Sequence, residues 1–354
     1  MLSIKGKEKV LVCPLGWGLG HATRVIPIVR YLLAKGCDVT IAADKTSIEL
    51  LKTHFHTINY RLFPSINVKL SKGSNQNGRL LGIALKILQR TYSENRSIKH
   101  LVKELDIDII ISDNRYGLYH KKLKTILITH QLWIQFPSLF KPFEFLGRWF
   151  VRHQAQKFTE CWIPDSPQNF KYSGKLSQPR KMPNNIRFIG LLSRFHGLTV
   201  SQQTKTWDLV GVVSGPEPHR KQFEEAIISL SNRLKLKTLV VQGLPQGKSS
   251  GKIVGKAMLV PHLNDHQMAS ALISSKHIIC RSGYSTIMDL TALRLTALLV
   301  PTPGQTEQEY LAEHLSKHRL FGQCQQHQLQ KLSLNQLHNL VSNRIITEEP
   351  VFFT

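Results

Sequence analysis

The sequence predicts an α/β protein of two Rossmann-like, doubly wound units that face each other across a central cleft. Three observations predict it. Short runs rich in Val, Ile and Leu alternate with longer amphipathic stretches, the pattern of parallel strands joined by crossover helices. The pattern restarts after residue 193, and each half opens with a strand, a glycine turn and a helix. A chain of 354 residues is long enough for two domains. They are expected at 1–193 and 194–331, with 332–354 as a helical tail returning to the first.

In the first half the apolar runs place strands at Lys9–Cys13, Asp38–Ala42, Thr57–Leu62, Ile107–Ser112, Thr125–Thr129, Cys161–Pro164 and Arg187–Ile189. Between them, helical periodicity marks Ala22–Lys35 and Arg79–Leu105. The second half repeats the scheme with strands at Asp208–Val213, Thr238–Gln242, Ala257–Val260, His277–Cys280 and Ala297–Pro301. Open α/β sheets bind ligands beyond the C-terminal ends of their strands, so both glycine turns should point into the cleft.

Hydrophobic residues at 42% and charged residues at 20% exclude disordered and fibrous classes. The formal charge of +24 is uneven: residues 1–190 hold 30 Lys and Arg against 12 Asp and Glu. An anionic partner facing the first half is the working expectation, and solubility is the plain alternative. Five cysteines without a C-x-x-C pair read as reduced thiols. The N-terminus reads as a first strand rather than a signal peptide, and no apolar run reaches membrane-spanning length, so a cytoplasmic location is expected.

Four segments could carry chemistry. The first, Gly16-Trp17-Gly18-Leu19-Gly20-His21-Ala22-Thr23-Arg24, follows a strand and opens a helix. Such a turn lets backbone approach a phosphate, while free helix N–H groups add partial positive charge. His21 stands where a dinucleotide fingerprint needs glycine, and no G-K-[ST] of a phosphate-binding P-loop is present. The imidazole could donate to a phosphate or take a proton from a hydroxyl, or simply cap or pack. The second, Val212–Arg220, holds Ser214 and Gly215 at a turn and Arg220 one helical turn later, within reach of a phosphate.

The third, Cys280–Leu290, ends a strand in Arg281, Ser282 and Gly283, followed by Ser285, Thr286 and Asp289. Small hydroxyl residues and backbone donors suit a diphosphate, and a carboxylate can accept from two ribose hydroxyls. The fourth, Val300–Ala312, brings Glu307, Gln308 and Glu309 to a helix start, where they could bind sugar hydroxyls or merely favour the helix dipole.

In this order the four segments resemble the GT-B glycosyltransferases. The similarity is strongest to the group containing the enzyme that adds N-acetylglucosamine to lipid-linked muramoyl-pentapeptide, whose C-terminal part is the family 28 domain. The match is densest over Cys280–Ala312 and weaker in the first half, where it rests mainly on Gly16–Arg24. The resemblance implies that Gly18, Gly20 and His21 lie against donor phosphates or the reacting hydroxyl, and Arg24 of the same segment is a further substrate-binding candidate. Ser214 and Gly215 would support the diphosphate, Asp289 the ribose, and Gln308 with Glu309 the donor sugar. Asp289 replaces the usual Glu, Glu309 the second amide of a Gln pair, and Gly-Trp-Gly the usual adjacent glycines. The G-x-G-H-x-x-R loop also looks like that of a nucleotide-sugar hydrolase of related fold.

The expected reaction moves a hexose or N-acetylhexosamine from a nucleotide-sugar, UDP-linked by resemblance, to a hydroxyl acceptor, with a lipid-linked or envelope glycan as candidate. No D-x-D-like motif stands in a suitable place, so neither metal nor cofactor is expected. Helix-start amides, with Arg220 or Arg281, would neutralise the departing diphosphate. His21 is the first candidate base, and Asp113, in Ile111–Gly117 at a strand end, the second. Residues 132–158 interleave Trp133, Phe136, Phe140, Phe143, Phe145, Trp149, Phe150 and Phe158 with Lys141, Arg148, Arg152 and Lys157. That mixture suits the headgroup region of an anionic membrane on its inner face, or an ordinary amphipathic core helix. Nucleic acid is not an expected partner, because no recognised binding module accompanies the basic charge.

Overall fold

The computed structural model describes residues 4–16, 19–64, 76–136, 138–168, 170–178, 182–199, 204–244, 251–342 and 353. Its first lobe is built on strands β1 (Lys9–Cys13), β2 (Asp38–Ala43), β3 (Asn59–Leu62), β4 (Ile109–Asp113), β5 (Lys124–Ile128), β6 (Glu160–Ile163) and β7 (Ile186–Phe188). They form one parallel sheet in the order β3-β2-β1-β4-β5-β6-β7. Helices α1 (Leu19–Ala34), α2 (Lys45–Lys52), α3 (Gln76–Leu105) and α4 (Glu144–Ala155) supply crossovers. Strands covered on both faces need continuous apolar runs, and Val10-Leu11-Val12-Cys13 and Ile109-Ile110-Ile111 are fully or almost fully buried.

The second lobe carries β8 (Trp207–Val212), β9 (Thr238–Val241), β10 (Lys252–Val254), β11 (Ala257–Val260), β12 (Ser275–Cys280), β13 (Leu298–Leu299) and β14 (Gly322–Gln323). The order is β10-β11-β9-β8-β12-β13-β14, parallel except for the β10–β11 pair. Its helices are α5 (His219–Arg233), α6 (Asp265–Ile273), α7 (Tyr284–Ala292), α8 (Thr306–Lys317), α9 (Gln326–Leu329) and α10 (Leu334–Val341).

Strand order reverses between β1 and β4 in one sheet and between β8 and β12 in the other, and such reversals open a crevice at the strand C-termini. The two crevices face each other. One apolar cluster runs through both lobes, joining Ile26, Val29, Trp162 and Leu176 to Tyr284, Ile287, Leu311 and Leu315. Each such side chain contributes roughly 1.5–3 kcal/mol when removed from water. The C-terminal segment divides: Leu337 and Val341 of α10 sit in the second lobe's core, while the Phe353 ring meets Tyr31 and Trp162 of the first.

Candidate active site

Because β1 and β4 are neighbours, the opening of α1 comes to lie beside the last residue of β4. His21 Nδ1 stands 2.8 Å from Asp113 Oδ2, although 92 residues separate them. Asp113 is fully buried. Burial opposes its ionisation, but Arg24 and His21 outweigh that and hold the carboxyl below its ordinary value. An ionised carboxylate only accepts, so the shared proton sits on Nδ1 and leaves the His21 Nε2 lone pair free. Arg24 Nη2 lies 2.9 Å from the same Nδ1 and donates to Asp113 Oδ1.

Arg24 is buried as well, and its Nη1 donates to His130 Nδ1 at 3.1 Å. The His130 proton therefore sits on Nε2, which donates to Glu307 Oε1 of the other lobe at 2.7 Å. Burial depresses the His130 pKa, consistent with a neutral ring. His130 lies two residues past the end of β5, the kind of position that made Asp113 a candidate, and sequence reasoning passed over it. Gly20 faces α7: Ser285 donates to the Gly20 carbonyl at 2.9 Å, and a Cβ on Gly20 would lie 3.2 Å from that hydroxyl. Gly18 lies outside the described residues.

Across the cleft, β8 leads into an exposed Ser214-Gly215 turn, with Gly215 at φ +101°, a conformation that favours glycine. Pro218 precedes α5 without capping it, but Glu217 Oε2 accepts from the Lys221 N–H at 3.2 Å and the Pro216 carbonyl accepts from the Arg220 N–H, whereas α7 follows Gly283 with no side-chain cap. An opening without a capping side chain, as at α7, leaves N–H groups and the positive dipole end for an anion. Thr286 lies in the first turn of α7, and with Asp289, Arg194 and Phe195 it lines a small cavity.

The arginines expected at phosphate are engaged by the protein itself. Arg281 is buried, stacked 4.0 Å from the Phe223 ring, and donates to the Val300, Pro301 and His219 carbonyls and to Gln326 Oε1. It ties the first residues of α5 and α9 to residues 300–301 from beneath, where a direct phosphate contact was the expectation. Arg220 likewise pairs with Glu217 and Glu224 and donates to the Gln242 carbonyl. Ser282 donates to the Gln308 carbonyl.

The remaining side chains hold loops. Gln308 accepts from the Thr302 N–H at 2.9 Å and donates to Gln305 Oε1, and Glu309 accepts from the Gly304 N–H at 3.0 Å. Asp289 accepts from Ser193 Oγ at 2.7 Å and Arg194 Nε at 3.2 Å, both on the connection between the sheets. Burial raises the Asp289 pKa against the pull of Arg194 and Ser193.

Comparison with known proteins agrees with this architecture. Residues 233–347 match the model of the glycosyltransferase family 28 C-terminal domain. A UDP-N-acetylglucosamine–N-acetylmuramyl-(pentapeptide) pyrophosphoryl-undecaprenol N-acetylglucosamine transferase of Desulforudis audaxviator is 44% identical over 71 residues, 20% of this chain and 18% of that relative's length. An uncharacterized glycosyltransferase of Methanosarcina mazei is 23% identical over 326 residues, 85% of this chain and 81% of its own. Among solved structures, a calicheamicin glycosyltransferase superposes with a TM-score of 0.64 at 13% identity, over 95% of this chain and 90% of that one. The chain is thus of the GT-B glycosyltransferase type in its fold, and the match to the family 28 C-terminal domain lies within its second lobe.

Proposed function

We propose that the protein transfers a hexose or N-acetylhexosamine from a UDP-sugar to a hydroxyl acceptor by direct attack at the anomeric carbon. The carrying observation is the His21–Asp113 contact at 2.8 Å, placed where the openings of α1 and α7 meet. Nε2 of His21 takes the acceptor proton, and Asp113 holds the ring and stabilises the imidazolium that forms. Asp113 is better suited to that partner role than to being the base, because it is buried with both oxygens engaged. On the donor side, the N–H groups at the start of α7, with Ser214 and Gly215, stabilise the departing diphosphate without a metal. Asp289 receives the ribose, and Gln308 and Glu309 the sugar, once their present contacts exchange.

A lipid-linked acceptor is supported by the surface of α4, where Phe145, Leu146 and Trp149, with Phe143 just before the helix, are exposed beside basic side chains. Among the described residues no helix is long and apolar enough to cross a membrane, so contact with a bilayer would be peripheral. Incubation with a panel of nucleotide-sugars, with and without lipid extract and with and without EDTA, tests the reading. Acceptor-dependent release of UDP that survives EDTA is expected. Free sugar released without acceptor identifies a hydrolase instead, and UDP that produces no calorimetric heat removes the donor assignment.

A further inference from the structure

We propose that His130 and Glu307 form a positioning pair that makes the His21–Asp113 dyad depend on the apposition of the two lobes. The proposal rests on the transfer reading above, but its structural half stands independently.

The His130 ring is stacked on Tyr284 of α7, with centroids 4.2 Å apart and planes 8° from parallel. Tyr284 is itself buried and donates its hydroxyl to the Pro164 carbonyl of the first lobe at 2.8 Å. The plane of the imidazole is thus set by one contact from the second lobe. Its in-plane direction is set by another, because Glu307 Oε1 accepts from Nε2 at 2.7 Å. Of the neighbours Glu307, Gln308 and Glu309, the last two turn back on residues 302–305, whereas Glu307 reaches across.

With the proton held on Nε2, His130 offers Nδ1 as an acceptor to Arg24 Nη1, and the other end of that guanidinium reaches Asp113. The chain is continuous: Glu307, His130, Arg24, Asp113, His21. If the lobes part, His130 loses its stacking partner together with the carboxylate that, with Arg24, selects its tautomer. A ring carrying its proton on Nδ1 would oppose Arg24 instead of accepting from it. Arg24 then loses the contact that orients it, and Asp113 is no longer held from behind. Glu307 and His130 act on the reaction through Arg24, without touching substrate. A transferase gains from this arrangement, because the base is fully ordered only when the cleft that excludes water is assembled.

The test uses the full chain with ¹⁵N-labelled histidine, UDP as the binding probe and UDP-N-acetylglucosamine, or another UDP-sugar that wild type turns over, as donor. Wild type should show His130, assigned by its loss in His130→Phe, as the Nε2–H tautomer. Glu307→Ala, which leaves Arg24 alone to set the ring, should shift His130 toward a mixture of tautomers, and Glu307→Gln should restore the Nε2–H form. Charge-assisted hydrogen bonds of this kind correspond to about a 10- to 100-fold effect. Glu307→Ala and His130→Phe should therefore each lower kcat by about that factor, with donor KM and UDP affinity moving less than about threefold. The double variant should be no slower than the slower single one. A raised donor KM with unchanged kcat in Glu307→Ala would make Glu307 a direct sugar ligand and overturn the proposal. So would multiplicative losses in the double variant, or a His130 tautomer indifferent to Glu307. If no sugar is turned over yet the tautomer follows Glu307, the coupling stands and the transfer reading falls.

Discussion

Ser193 Oγ donates to Asp289 Oδ1 at 2.7 Å, so a side chain on the connection between the two sheets holds the carboxylate proposed to receive a ribose. Arg194, the next residue, holds the other oxygen at 3.2 Å and also pairs with Asp265 of α6. Nucleoside binding at Asp289 must therefore exchange contacts with the connection, and the two processes are coupled in free energy.

A quantitative expectation follows for Ser193. Its hydroxyl competes with the ribose at a cost of about 1 kcal/mol, the net worth of a neutral hydrogen bond. Ser193→Ala should tighten UDP binding by about fivefold in calorimetry, whereas Asp289→Ala should weaken it by about 10- to 100-fold. Weaker binding in Ser193→Ala would show that the hydroxyl supports the site rather than competing for it.

For the dyad, the geometry separates catalysis from binding. Removal of a general base typically costs 10²- to 10⁴-fold. His21→Ala should lose about that much in kcat while UDP affinity holds within about threefold. Asp113→Asn keeps the shape but can turn an N–H toward Nδ1, which favours the tautomer protonated on Nε2 and should lower kcat by a comparable factor. Near-normal turnover in both variants would remove the mechanism.

Acid should destabilise the fold in two stages. Burial holds His54, His130, His196, His262, His277 and His314 below the ordinary value of 6.5. Their unfolded counterparts bind protons as pH falls through 6.5 while the folded rings stay neutral, so stability is full above that pH and declines below it. Asp113 and Glu307 are held below their ordinary values of 3.8 and 4.5, so their contribution is present above those values and is lost as pH falls further. Urea midpoints measured from pH 8 to pH 4 should fall steadily below 6.5. His314→Phe, which retains a ring beside Phe170, should flatten the first stage. A flat profile between pH 6.5 and 5 contradicts the assignment.

Much of this framework was legible in the chain, for physical reasons that also mark where legibility stops. Lys9–Cys13 and Ile109–Ile111 read as strands because burial on both faces demands uninterrupted apolar residues. Gly322–Gln323 offers two residues and no apolar run, and Lys252–Val254 is a short edge, so β14 and β10 carried no periodic signal. Helix α1 starts at Leu19, three residues before the expected Ala22, because its first turn includes part of the glycine motif. Asp113 was recognisable from its place at a strand end. Its contact with His21 follows from β1 and β4 being neighbours, which local sequence does not encode. The direction of Arg281 depends on what lies beneath its turn, where Phe223 and three carbonyls await it. His130 has meaning through partners distant in the chain, Arg24 and Tyr284 as well as Glu307, 177 residues away.

The stretch 132–158 was compatible with both a core helix and a membrane surface, and α4 is two-faced. Val151 and Ala155, one turn apart, join Leu127, Leu132, Phe158, Cys161 and Ile163 in a buried cluster. Phe145 and Trp149, also one turn apart, are 56% and 64% exposed, with Leu146 and Phe143 beside them. Arg148 lies over the Trp133 ring at 4.5 Å, and exposed Lys141 adds charge nearby. An apolar ridge among cations should insert its rings into an anionic headgroup layer, with about 1.5–3 kcal/mol for each buried aromatic and about 1 kcal/mol for each nearby base. The chain should therefore sediment with phosphatidylglycerol vesicles at low salt, more weakly at 0.5 M salt, and hardly with phosphatidylcholine. Phe145→Ser with Trp149→Ser should cut vesicle binding by about 100-fold or more and leave UDP affinity unchanged, because α4 and the donor turns lie in different lobes. Binding that ignores lipid charge, or survives the double substitution, would assign the ridge to something other than a bilayer.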